Sequence, residues 1–198
     1  MRCAITSGTA RTSRDVGALA TLAQEWASIG IDLVQLREPL LPAGLLYEAA
    51  REMLAAIAAQ GAATKLLINS RADVAVAAGA HGVHLTSRPG ELTAQQVREL
   101  YVAAGLAGPN VGVSCHTLEE VTRAKEQGSD FVLFGPVFEK RVRGQLVHEG
   151  VGLDLLREVC IAADALPVLA LGGITSGNAP QCFAAGASGI AGIRLFGG

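Results

Sequence analysis

Short apolar runs alternate with longer Ala-rich segments of helical periodicity along the whole chain. The apolar runs predict strands near Cys3–Thr6, Leu33–Leu36, Lys65–Asn69, Gly82–Leu85, Val111–Ser114, Phe131–Phe134, Val168–Leu171 and Gly189–Ile193. The segments between them predict helices near Val16–Ser28, Ala43–Ala59, Ala72–Ala78, Ala94–Ala103, Leu118–Gln127, Leu153–Ala163 and Asn178–Ala185. Strict strand–helix alternation is typical of a parallel sheet that is covered by helices.

Three phrases repeat one unit, a helix-ending glycine followed by a buried strand: GAHGVHL at 79–85, GSDFVLF at 128–134 and GASGIAGI at 186–193. This repetition favours a closed (β/α)8 barrel, the TIM barrel, over an open doubly wound sheet. No domain boundary is evident, so we predict a single TIM-barrel domain over residues 1–198 that lacks the final helix. The apolar face left there suggests a partner subunit, and therefore a homodimer.

Composition narrows the class of protein. A net charge of −2 gives no global basic field and argues against a nucleic-acid partner. The apolar runs stay shorter than the ~20 residues of a membrane span, and the N-terminus lacks the apolar core of a signal peptide. The cysteines have no metal-type spacing, so we expect reduced thiols and a cytoplasmic protein: Cys3, Cys115, Cys160 and Cys182.

The seventh predicted strand stops at the pair Gly172-Gly173, and a helix is expected to open at Thr175-Ser176. Glycine lets backbone amides approach a ligand closely, and a helix N-terminus favours negative charge. In (β/α)8 barrels a phosphate site commonly follows strands seven and eight. The pair therefore predicts a phosphate cradle and a phosphorylated substrate.

Polar side chains gather where the other predicted strands end, which is where active sites of this fold lie. Cationic groups are frequent there, so we expect an electropositive mouth and an anionic substrate. Single residues allow two interpretations. Arg37 either pairs with Glu38 or contacts a ligand anion, and Asn69 either holds a ligand or only ends its strand. The long basic connection Gly135–Gly152 is either an anion-binding flap or a solvated loop; its cations are Lys140, Arg141, Arg143 and His148.

His116 is the strongest acid–base candidate, because imidazole gains or loses a proton near neutral pH. Glu119 and Glu120 follow in the next helix and are candidates to orient the ring. The alternative is that His116 caps this helix, although Thr117 with Glu120 can form a capping box. For His84 we favour a hydrogen-bonded core histidine over a residue that faces the mouth.

At these residues the chain resembles the thiamine phosphate synthase / thiazole tautomerase superfamily. The matching phrases are VQLRE (34–38), LLINSRADVAVAAGAHGVHL (66–85), GVSCHTLEE (112–120), DFVLFGPVFE (130–139), GVGLDLL (150–156) and PVLALGGIT…N…AGASGIA (167–191). The resemblance implies one of two activities. A synthase joins a pyrimidine diphosphate to a carboxythiazole phosphate with Mg²⁺ held by carboxylates. A tautomerase moves a proton within the thiazole phosphate, makes the ring aromatic and needs no metal.

The chain departs from the synthase pattern at three motifs. The pattern LREK reads Leu36-Arg37-Glu38-Pro39 here, and INDR reads Ile68-Asn69-Ser70-Arg71. The third pattern, HLGQxD, reads 84–89 as HLTSRP, so both metal-binding aspartates are absent. Mg²⁺ prefers carboxylate and phosphate oxygens. These departures predict a thiazole tautomerase, an isomerase of thiamine biosynthesis without a cofactor.

Within that prediction the resemblance assigns the site residues. His116 would transfer the proton and the substrate would be a small thiazole phosphate. The substrate-binding residues would be Gln35, Arg37, Asn69, Lys140 and Arg141. The phosphate-binding residues would be Gly172, Gly173, Ile193 and Arg194, where Arg194 replaces a small residue. Two alternatives stay open: a thiamine phosphate synthase with an altered diphosphate and Mg²⁺ site, and a regulatory protein that binds thiazole or thiamine phosphates without turnover.

Overall fold

The computed structural model describes residues 1–142 and 145–197, and for residues 140–148 only the backbone of the two strands in that range. The strands are β1 (Arg2–Ile5), β2 (Leu33–Leu36), β3 (Lys65–Asn69), β4 (Gly82–Thr86), β5 (Asn110–Cys115), β6 (Phe131–Phe134), β7 (Lys140–Val142), β8 (Gln145–His148), β9 (Val168–Leu171) and β10 (Gly189–Gly192). The helices are α1 (Ser13–Ser28), α2 (Ala43–Ala59), α3 (Ala72–Ala78), α4 (Ala94–Ala103), α5 (Leu118–Glu126), α6 (Gly152–Ala163) and α7 (Ala179–Ala184).

Eight of these strands form a closed parallel barrel in the order β1-β10-β9-β6-β5-β4-β3-β2. Closure comes from β1, which pairs with β2 on one side and with β10 on the other. The register places Ala4 beside both Val34 and Gly192. The predicted single-domain (β/α)8 fold is confirmed.

Alternation along each strand separates two apolar layers. One cluster fills the inside of the barrel: Cys3, Ile5, Leu33, Leu67, Phe131, Leu133, Leu169 and Ala191. The intervening strand residues point outward, as Leu66 and Ile68 do, and pack with the helices in a second and larger cluster. The inner layer closes the barrel below the carboxyl ends of the strands, so a ligand can enter only above it.

The connection between β6 and α6 differs from the prediction. We expected one long loop over Gly135–Gly152, but an antiparallel hairpin, β7 with β8, occupies its middle. The three-residue strand β7 is too short for periodicity to reveal it.

Residues 193–197, which follow β10, form no helix in the described part of the chain. The segment packs onto α1, where the indole Nε1 of Trp26 donates a hydrogen bond to the Gly197 carbonyl at 3.1 Å. None of the helices among the described residues is long and apolar enough to cross a membrane.

Gly112 on β5 makes room for the inner layer, and its replacement tests this packing. A Cβ at Gly112 would lie 2.2 Å from the Phe131 ring, so we expect Gly112→Ala to lower the free energy of unfolding by about 1–3 kcal/mol. Gly17→Ala on α1 is the matched control, because no atom lies within 4 Å of its Cβ position. That variant should gain about 1 kcal/mol from helix propensity. Urea denaturation measures both, and equal stability of the two variants would contradict this packing.

Candidate functional site

A ring of polar side chains lies on top of the apolar layer at the carboxyl ends of β2 to β5. Strand alternation turns four polar side chains toward the barrel axis: Gln35, Asn69, His84 and Ser114. Gln35 and Asn69 lie two residues after the inward Leu33 and Leu67. His84 pairs with Asn69, and Ser114 pairs with the inward Leu133. Asn69 stands opposite His84 in the β3–β4 register. Gln35 is 2% exposed and His84 is 3% exposed, so both lie deep in the mouth.

Two buried polar atoms of this ring have no hydrogen-bond partner among the described residues: Gln35 Nε2 and His84 Nδ1. Leaving a buried polar group unpaired costs about 1–3 kcal/mol, so such atoms call for an explanation. The other ring nitrogen of His84, Nε2, lies 3.5 Å from Ser114 Oγ. A ligand that enters the barrel mouth would satisfy both unpaired atoms.

The His84 ring is held neutral. Burial, and secondarily the positive charge of Arg37, lower the pKa of His84 from 6.5 to about 3. Its ring packs near that of Phe131, with centroids 6.4 Å apart and an interplanar angle of 30°. At neutral pH His84 therefore offers one N–H donor and one acceptor instead of a charge.

Arg37 follows β2 and its side chain is exposed at the mouth. The expected alternative partner, Glu38, is engaged elsewhere: its two oxygens accept hydrogen bonds from the amides of Gly8 at 3.0 Å and Ala10 at 2.8 Å. Among the described residues the Arg37 guanidinium has no carboxylate partner. Its backbone amide donates to Thr6 Oγ1 at 2.9 Å, which fixes where the side chain begins.

Gly172 and Gly173 follow β9, and the backbone amides of Gly173, Ile193 and Arg194 have no acceptor within the described chain. The two glycines have φ angles of +95° and +65°. Their missing side chains also serve packing, because a Cβ at Gly172 would lie 2.5 Å from Pro136. The predicted cradle is thus an array of free amides whose shape depends on the β6–α6 connection.

Asn178 shapes this array and was missed as a site residue in the sequence analysis. Its Nδ2 donates to the Gly173 carbonyl at 2.9 Å, and its Oδ1 accepts from the Thr175 amide at 2.8 Å. The turn displaces the start of α7 to Ala179, later than the expected opening at Thr175. Asn178 thus fixes the Gly173 carbonyl and the Thr175 amide, and with them the shape of the turn after β9.

His116 lies at the end of β5 with an exposed ring. Its Nδ1 is 2.6 Å from the Gly135 carbonyl oxygen. A carbonyl can only accept, so Nδ1 donates and Nε2 is the free nitrogen. Thr117, and not His116, caps α5 by accepting from the Glu120 amide at 3.2 Å. The Glu120 carboxylate contacts the His116 backbone amide instead of orienting the ring.

The remaining predicted residues are spread around the mouth. Asn69 is partly buried, with Nδ2 3.4 Å from Ser70 Oγ. The side chains of Ile193 and Arg194 are exposed after β10. Lys140 and Arg141 lie on β7, but their side chains fall outside the described part of the structure, as do Arg143 and the His148 side chain.

The Mg²⁺ implied by a synthase resemblance finds no suitable donor set here. In the described ranges no group of three or more His, Cys, Asp or Glu side chains is placed to share a metal ion. Ser70 and Pro89 occupy the positions where the resemblance implies aspartates. Mg²⁺ is usually held by one or two carboxylates together with substrate phosphates, so these residues do not fit it.

Two cavities, of about 150 and 360 Å³, lie outside the barrel. The smaller one is bordered by the β4–α4 connection, including Arg88, and by α5. The larger one lies between α3 and that same connection. Gln35, His84 and His116 line neither of them, so the mouth is the better candidate site.

Several proteins that are similar to this chain carry the name of a thiamine-phosphate synthase. A thiamine-phosphate synthase of Methanoculleus marisnigri is 36% identical over 94% of this chain and 81% of its own length. A thiamine-phosphate synthase of Methanocella arvoryzae is 38% identical over 81% of this chain and 71% of its own length. The solved structure of a thiamine phosphate pyrophosphorylase from Pyrococcus furiosus superposes with a TM-score of 0.78 at 26% identity, covering 100% of this chain and 87% of the other.

These comparisons correct the main functional prediction. The sequence analysis predicted a thiazole tautomerase and hence an isomerase, and that prediction is wrong: the relatives bear the name of a transferase. Ser70 and Pro89 at the two aspartate positions do not identify the reaction. A contribution of His116 to the site stays a prediction.

The low pKa of His84 makes stability depend on pH. In the unfolded chain the ring binds a proton below about pH 6.5, whereas in the folded chain it stays neutral down to about pH 3. Acid therefore favours unfolding. Between pH 6.5 and pH 4.5, His84 should lower the free energy of unfolding by about 2–3 kcal/mol. Urea unfolding at these two pH values should show a smaller loss in His84→Gln than in the wild type.

The lowered pKa of His81 acts in the same direction, so part of the pH dependence should persist in His84→Gln. Identical losses in the variant and the wild type would contradict a neutral, buried His84.

A protein-family model described as thiamine monophosphate synthase matches residues 3–196. This match takes in all eight barrel strands apart from the first residue of β1, together with the polar ring and the amide array. The chain therefore belongs to the thiamine monophosphate synthase family.

Proposed function

We propose that this protein is a thiamine-phosphate synthase, a transferase that joins a pyrimidine diphosphate to a thiazole phosphate and releases pyrophosphate. The carbon–oxygen bond to the diphosphate breaks, a thiazole nitrogen bonds to that carbon, and pyrophosphate leaves with the electron pair. One observation carries the proposal: unpaired buried side-chain atoms and backbone amides without an acceptor lie on opposite sides of the mouth. In the strand order β4 faces β10 across the barrel, and β3 faces β9.

The β2–β4 side suits a pyrimidine ring. Gln35 Nε2 and His84 Nδ1 are buried and unpaired, so a flat heterocycle with ring nitrogens and an amino group would complete their hydrogen bonds. The neutral state of His84 avoids placing a charge against the ring. The Phe131 ring beside His84 adds an apolar surface at the bottom of the subsite.

The β9–β10 side suits the phosphate of the thiazole. The amides of Gly173, Ile193 and Arg194 have no acceptor among the described residues and can donate to phosphate oxygens. Arg194 adds a positive charge next to this array. A phosphate anchored there would hold the thiazole ring over the barrel axis, facing the pyrimidine. Such positioning is itself a large part of catalysis in a two-substrate reaction.

Arg37 and Asn69, at the ends of β2 and β3, would contact the diphosphate. Lys140 and Arg141 belong to the hairpin that follows β6. His116 ties the end of β5 to Gly135 at the start of this connection and so positions it. A homodimer and a cytoplasmic location remain expectations from the sequence.

A two-substrate assay tests the proposed reaction. Purified protein is mixed with the pyrimidine diphosphate and the thiazole phosphate, with and without MgCl2, and pyrophosphate and coupled product are quantified by chromatography. We expect one pyrophosphate per coupled product, and none when either substrate is omitted. Binding of either substrate by calorimetry with no product in either buffer would instead indicate a binding protein without turnover.

Gly173→Ala tests the amide array. A Cβ at this position would lie 2.7 Å from Phe138 Cβ, and its φ of +65° disfavours alanine. We expect the KM for the thiazole phosphate to rise roughly tenfold, since the loss of one or two charge-assisted hydrogen bonds is of that order. The KM for the pyrimidine diphosphate should change little.

Gly177→Ala on the same loop is the matched control, because the nearest atom lies 3.8 Å from its Cβ position. Equal KM values for the two variants would speak against a phosphate site at Gly173. Circular dichroism melting of both variants separates a local change from unfolding.

A further inference from the structure

We propose that the mouth binds the diphosphate group, and the released pyrophosphate, through the guanidinium groups of Arg37 and Arg88 and without a divalent cation. The identity of the anion rests on the proposed function. The inference itself follows from which charged groups at the mouth are already bonded and which are free.

Two carboxylates of the connections after β4 and β5, those of Glu91 and Glu120, are engaged by protein donors. Glu91 accepts a hydrogen bond from the Thr86 hydroxyl at 3.1 Å and one from a backbone amide on its other oxygen. Glu120 accepts from Ser87 Oγ at 2.7 Å and from the His116 amide. With both oxygens bonded, neither carboxylate can turn toward a metal ion without breaking these contacts.

The carboxylate of Glu38 is engaged in the same way by the two amides of the β1–α1 connection. It is 3% exposed and therefore lies away from solvent. Asp73 accepts hydrogen bonds from Nε and Nη2 of Arg71, at 2.8 and 2.6 Å. The acidic groups of the β2 and β3 connections thus stabilise loops.

Two arginines lie on the connections after β2 and β4, at the carboxyl end of the barrel. Neither Arg37 nor Arg88 has an acceptor for its guanidinium within the described residues, in contrast to Arg71. Arg37 Nη1 lies close to Gly8, 3.1 Å from the position that a Cβ on Gly8 would take. The positive charge of Arg37 contributes to the lowered pKa of His84 inside the barrel. Arg88 is exposed in the β4–α4 connection, next to Pro89, where it also borders the smaller outer cavity.

This distribution favours direct binding of an anion. Guanidinium binds phosphate oxygens in bidentate fashion and cannot lose its proton. A divalent cation would instead face two positive charges, and Ser70 and Pro89 stand where the resemblance implies the two carboxylates that would offset them. Such a cation and the guanidinium groups would compete for the same oxygens of the substrate.

Isothermal titration calorimetry with inorganic pyrophosphate tests the inference. The full chain is prepared in buffer passed over chelating resin, with residual metal checked by mass spectrometry, and titrated with and without MgCl2. We expect the Kd without metal to be equal to or lower than the Kd with Mg²⁺. Arg37→Gln and Arg88→Gln should each raise the metal-free Kd roughly tenfold, the value expected for one charge-assisted contact.

Lys125→Gln is the matched control, since Lys125 contacts Asp164 at 3.5 Å at the opposite end of the barrel. It removes one positive charge and should leave the Kd unchanged. Binding that requires Mg²⁺, or arginine variants that bind as tightly as Lys125→Gln, would overturn the inference.

Turnover is measured separately on the same preparations. Metal-free pyrophosphate binding without coupled product in any buffer would refute the synthase and leave the anion site standing. Product that forms only with Mg²⁺, together with Mg²⁺-dependent pyrophosphate binding, would support the synthase and overturn the arginine site.

Discussion

Parallel pairing of β1 with β10 is the contact on which the rest of this protein depends. It joins the first strand to the last, removes both sheet edges and sets eight strand ends in one ring. Residues far apart in sequence, such as Arg37 and Arg194, then share one mouth. Without this closure the polar side chains would lie along an open edge, and the two subsites could not face each other.

The inner layer of the barrel sets the chemistry above it. Leu67, Phe131 and Leu133 fill the space under the mouth and keep water from the lower half. Gln35 and His84 rest on this layer with unpaired atoms, which lowers the stability of the free protein. A substrate that supplies the missing hydrogen bonds recovers that free energy, so the same two residues link stability to ligand binding.

Much of the architecture could be predicted from hydrophobic periodicity. The bounds of β2, β3, β6 and β9 match the predicted ones, because buried parallel strands are short, continuous apolar runs that end at polar residues. The hairpin β7–β8 and the turn set by Asn178 could not be predicted, since both depend on contacts between segments rather than on a local pattern. The tautomerase prediction failed for a related reason: a changed donor set at Ser70 and Pro89 alters how charge is balanced, and this does not fix which bonds are made.

The sequence by itself determined the alternation of strands and helices, the closed barrel and the glycines that end β9, because these follow from side-chain size, periodicity and backbone freedom. The tertiary structure alone decided which polar groups are satisfied. Glu38 accepts hydrogen bonds from the β1–α1 connection, and His116 donates to Gly135, while the Arg37 guanidinium has no carboxylate partner among the described residues. Hydrogen-bond partners depend on which groups the fold brings close together, and the sequence pattern does not specify these contacts.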